Sequence, residues 1–113
     1  MGAIRFGLTL LRFSPTIPRR ERVLWVGAVS LVRSGGYAEN LMQRWNRAIV
    51  AACRRYPNMR VYDWAARAKA PWFINDGIHY TTPGYIARTH LIARALASAF
   101  PVKGPPSAGC VVR

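Results

Sequence analysis

The chain has 113 residues, 51% of them apolar and four of them Trp, which excludes a disordered polypeptide and limits the fold to one domain with a small core. Its formal net charge of +13 comes from 17 Lys and Arg against 4 Asp and Glu, a balance that brings nucleic acid to mind through counterion release at phosphates. The arginines are spread from Arg5 to Arg113, with no long basic block, aromatic RNP strand or zinc-finger spacing. A solvated basic surface is therefore expected, and no specific nucleic-acid site.

Residues 1–22 read as an irregular lead-in, with Pro15 and Pro18 followed by Arg19 and Arg20 and no clean period. Residues 1–13, MGAIRFGLTLLRF, carry some signal-peptide character. Arg5 and Arg12 interrupt the apolar stretch and no small-residue cleavage site follows, so a functioning signal is not expected.

From Val23 to Val32 the sequence VLWVGAVSLV is apolar, β-rich and bounded by Arg22 and Arg33. It has about half the length that a membrane-spanning helix needs, and reads as a strand buried on both faces of a parallel sheet. No membrane span is expected.

Ser34-Gly35-Gly36 breaks the chain, and a helix is predicted over 38–55, with Leu41, Met42, Trp45, Ile49, Ala52 and Cys53 on its buried face. Pro57-Asn58 ends it, and Met59 to Trp64 reads as a second strand, parallel to the first by the right-handed crossover rule. Residues 65–80 are a predicted loop with a short helical turn at Ala65 to Lys69.

The last helix is predicted from Thr82, as N-cap, with Pro83 at the first helical position. Its buried face is expected at Tyr85, Thr89, Ile92, Ala93, Leu96 and Phe100, and Pro101 stops it. Residues 101–113 have turn residues and no period, as in a flexible tail. Cys53 and Cys110, without a C-x-x-C, indicate neither a metal site nor a disulfide framework and leave the compartment open.

The elements sum to an α/β chain, strand-helix-strand-loop-helix over 23–100. The architecture expected is a partial three-layer parallel-sheet sandwich, in which ligands sit beyond the carboxyl ends of the strands. Asp63 and the loop that carries Asp76 and His79 fall at that edge. An imidazole removes a hydroxyl proton near neutral pH when a carboxylate on its other nitrogen fixes the tautomer. Asp76 stands three residues before His79, with Gly77 between them to allow a positive φ. By spacing alone, a helix-capping Asp explains the same pattern.

The segment Asp76 to Tyr85, DGIHYTTPGY, resembles the last block of the SGNH (GDSL-type) hydrolases, where Asp-x-x-His precedes the C-terminal helix. The wider run of VLWV at 23–26, Asn40, Asn46, Tyr56-Pro57-Asn58, Val61-x-Asp63-Trp64 and Trp72 is similar to the SGNH domain attached to bacterial O-acyltransferases of cell-surface glycans. The resemblance covers about residues 23–100. It implies that His79 is a general base oriented by Asp76, that no cofactor or metal takes part, and that the substrate is an acyl ester, such as one on a cell-surface glycan.

The family's Gly-Asp-Ser block and the Gly and Asn blocks that complete its oxyanion hole have no counterpart here. Ser14, Ser30, Ser34, Ser98 and Ser107 lack a preceding Gly-Asp or a nucleophile elbow. Ser30 is expected to be a buried strand residue, Ser34 a turn residue and Ser98 a surface residue. A base without a nucleophile and oxyanion donors does not turn over. The expectation is a C-terminal half-domain, inactive alone, whose missing N-terminal half could be supplied in trans. The alternative is a basic module that binds acidic glycans or nucleic acid through its arginines.

Four further side chains receive structural readings: His90 on the surface, Asp63 bonded to loop backbone, and Trp64 and Trp72 in the core rather than in a substrate cleft. Location is cytoplasmic by default and extracytoplasmic if the chain derives from a longer membrane-linked protein.

Overall fold

The computed structural model describes residues 21–113, so the lead-in and signal readings of residues 1–20, and Ser14, lie outside the described residues. Three parallel strands, β1 (Val23–Val26), β2 (Met59–Tyr62) and β3 (Val111–Val112), form one sheet in the order β1-β2-β3. Two helices, α1 (Glu39–Cys53) and α2 (Thr82–Ala99), make the crossovers, and two single 3-10 turns, Trp64–Ala66 and Ala70–Trp72, punctuate the loop after β2.

β1 and β2 pair from Val23 with Met59 to Val26 with Tyr62. Alternation along the strands then sorts the core into two clusters. Leu24, Val26, Tyr62 and Val112 pack with Ala95 and Ala99 of α2. Trp25, Met59 and Val61 pack with Ile49 and Cys53 of α1. The helices therefore cover opposite faces, giving a small three-layer α/β arrangement. Among the described residues no helix is long and apolar enough to cross a membrane.

The first strand is shorter than the apolar run predicts. Gly27 N–H still donates to Tyr62 O at 2.9 Å, but at Ala28 a side chain takes the place of a neighbouring strand. Asn46 of α1 accepts from Ala28 N–H and donates to Ala28 O, both at 2.7 Å. Ser30 N–H then donates to Glu39 Oε1 at 3.0 Å and Leu31 N–H to Gly77 O at 2.8 Å. Ser30 is buried as expected, yet it lies in this connection and not in a strand.

The buried stripe of α1 runs through Asn46, Ile49, Val50 and Cys53, with Trp45 nearly half exposed and in ring contact with Trp25. On α2 the predicted face is rotated. Gly84, Ala95 and Ala99 are buried, whereas Tyr85 and Leu96 are about half exposed. Close approach explains the choice of small residues, because a Cβ on Gly84 would fall 2.3 Å from the Trp72 carbonyl oxygen. The N-cap is Thr81, not Thr82: its Oγ1 accepts from Gly84 N–H at 3.0 Å, while Thr82 is already helical.

The tail yields the largest difference from expectation. Residues 101–113 hold β3, tied down by Val61 N–H to Cys110 O and Asp63 N–H to Val112 O, both 2.8 Å. Arg60 donates twice to Ser107 O, at 3.0 and 2.7 Å. Cys53, the last residue of α1, is disulfide-bonded to Cys110, with their Cα atoms 6.0 Å apart. The cysteines that indicate no framework by spacing thus join the end of a helix to the start of a strand.

Candidate functional site

The loop from β2 to α2 is held by aromatic packing. Trp64 is buried and stacks on half-buried Trp72, ring centroids 5.9 Å apart, and its Nε1–H donates to Tyr80 Oη at 2.9 Å. Both tryptophans serve the core, as expected. Arg88 of α2 lies over Trp64 and Tyr80, 5.6 Å from each ring centroid, a cation–π contact for which helical spacing carries no signal.

Phe73 and Tyr80 form an antiparallel bridge, and Ile74 N–H donates to His79 O at 2.9 Å, so residues 74–79 make a closed turn. Gly77 has φ +72°, and a Cβ there would lie 3.3 Å from Leu31 Cβ. The positive φ expected at this position is present, and the turn rests against the segment after β1.

Within the turn, Asp76 Oδ1 accepts from the backbone N–H of Ile78 at 2.8 Å and of His79 at 2.9 Å. Its other oxygen, Oδ2, meets His79 Nδ1 at 2.6 Å. The carboxylate thus fixes the ring and places the neutral-state proton on Nδ1, leaving Nε2 as the basic nitrogen. Among the described residues Nε2 has no partner, and the His79 side chain is 65% exposed.

The Asp76 carboxyl is held down to about 2, chiefly by the His79 side-chain bond and then by the Ile78 and His79 backbone N–H groups, against a small opposing effect of desolvation. Three donors on one carboxylate keep it ionised at neutral pH. The geometry brings the Asp76 carboxylate and the His79 ring into contact and leaves Nε2 facing away from the carboxylate.

No described serine bonds to His79. The Ser30 hydroxyl donates to Tyr37 O and is buried. Ser34 and Ser98 are exposed, and Ser107 Oγ, in the tail, is buried with no hydrogen-bond partner among the described residues. His90 is on the surface, as expected. Asp63 departs from its reading, since its Oδ2 accepts from Arg113 Nε at 3.2 Å rather than from loop backbone. The residue that sequence reasoning left without a role is Asn46, whose amide shapes the connection after β1.

Compared with known proteins, the chain matches no family model, no curated protein and no solved structure. What stands is a small α/β fold with a carboxylate-oriented histidine at the surface of the loop that leads into its last helix.

Proposed function

We propose that the chain is the C-terminal half of an SGNH-type serine ester hydrolase or O-acyl esterase, with His79 as general base and Asp76 as its orienting carboxylate. The observation that carries this reading is the 2.6 Å contact between Asp76 Oδ2 and His79 Nδ1 in a turn that leaves Nε2 open. In the complete site, Nε2 would take the proton of a serine hydroxyl as that oxygen attacks the acyl carbonyl. The proton would then pass to the departing alcohol. Serine and oxyanion donors come from outside the described residues, and one missing oxyanion donor alone removes about 2.7–4 kcal/mol of transition-state stabilisation.

The test is ester hydrolysis. The purified chain should hydrolyse p-nitrophenyl acetate no faster than the same concentration of imidazole. A rate well above imidazole that disappears in His79→Ala would show a nucleophile within the chain and overturn the half-domain reading. With a co-purifying polypeptide that bears a strand and a Gly-Asp-Ser block, hydrolysis should appear and should depend on His79. Activity in that mixture indifferent to His79→Ala would overturn the assignment of the base.

A further inference from the structure

We propose that the cleft between α1 and the β2–β3 side of the sheet is a binding site for a small oxyanion-bearing ligand, its carboxylate or phosphate held by Arg47, Arg54 and Arg113. The cleft has a volume of about 410 Å³ and is lined by neither Asp76 nor His79. The inference is therefore independent of the ester-hydrolase reading. Gly27, Asp63 and Arg113, which follow or end the three strands, all line it. That is the carboxyl edge where open α/β sheets bind ligands.

Its walls are fixed before any ligand arrives. Asn46 clamps Ala28 through two 2.7 Å bonds, and a Cβ on Gly27 would lie 3.2 Å from both Asn46 Oδ1 and Tyr62 O, so glycine suits the close approach. The Cys53–Cys110 disulfide joins the end of the α1 wall to the start of the β3 wall. Rigid walls lower the ordering cost of binding.

Charge selects the ligand. Asp63 is the sole acidic side chain among the lining residues, and Arg113 Nε already engages it at 3.2 Å. Arg47 and Arg54 also line the cleft and have no acidic partner among the described residues. Val50 and Val61 add an apolar part to the lining. Guanidinium forks in a partly apolar cleft favour a planar carboxylate or a phosphate over a hydrated simple anion. The volume falls in the range of small-molecule sites, about 300–1,000 Å³, and suits a body the size of one sugar ring.

The full chain, labelled with ¹⁵N, should be titrated with glucuronate and with inorganic phosphate, using glucose as the neutral control. Glucuronate or phosphate should shift the amide signals of Gly27, Asp63, Val111 and Arg113 saturably, with a Kd of about 1 mM or tighter, and glucose should not. Arg47→Ala/Arg54→Ala alters exposed side chains of the α1 region, and its spectrum reports whether the fold is intact. It should weaken binding by about tenfold or more. Unsaturable shifts, shifts confined to other parts of the chain, or affinity unchanged in the double variant would each overturn the site.

Discussion

Replacing Cys110 with Ser should cause the greatest loss of stability that a single half-buried side chain can produce in this fold. The disulfide closes a separation of 57 residues, and the chain-entropy relation for a loop of that length gives about 4 kcal/mol of stabilisation. Domains are stable by about 5–15 kcal/mol, and one with so small a core belongs at the low end. Cys110 is the better site to alter because Cys53 is 2% exposed, so a change there would add a packing loss. Without the disulfide, β3 is held by a short pairing of two residues with β2, the packing of Val112, the Arg113–Asp63 contact and, just before it in the chain, the Arg60 bonds to Ser107 O. Urea unfolding followed by tryptophan fluorescence measures the effect. With a slope of about 1–2 kcal/mol/M for a small protein, the midpoint should fall by about 2–4 M. Adding reductant to the unaltered chain should give the same fall, and reductant should not affect Cys110→Ser. A midpoint within about 0.5 M of the parent, before and after reduction, would refute the view that this link supports the fold.

Two other perturbations separate close alternatives. Thr81→Ala should lower stability by about 1 kcal/mol through loss of the cap on Gly84 N–H, while Thr82→Ala should change it little; thermal melts showing the reverse order would place the cap at Thr82. The Asp76 carboxyl has a folded-state value of about 2, below the ordinary 3.8, so its contribution to stability is present above the unfolded value and is lost as pH falls from about 4 through about 2. A ¹³C titration of the Asp76 carboxyl should show a midpoint near 2, and one close to 4 would dismiss the three-donor arrangement.

The order of elements from β1 to α2 was legible because helix and strand periods are local. Ile49 and Cys53 recur at helical spacing, and Pro57-Asn58 ends the helix before β2. The Asp76–His79 pair was legible for the same reason: three residues and a glycine suffice to bring carboxylate and imidazole together. The faces of α2 were less so. Tyr85 and Leu96 are the larger apolar residues, but Gly84, Ala95 and Ala99 are the ones buried, because the distance to Trp72 and the sheet admits only small side chains there.

The α/β order from β1 to α2, the helix that follows β1 and the turn that joins Asp76 to His79 are readable along the chain, because contacts within a few residues set them. That β1 stops at Val26, where Asn46 takes over the backbone of Ala28, depends instead on how α1 seats against the sheet. The same holds for β3, whose two valines are too few to show a period, and for the pairings of Cys53 with Cys110 and Asp63 with Arg113. Those partners lie 57 and 50 residues apart, and which of them meet depends on how the two helices seat on opposite faces of the sheet.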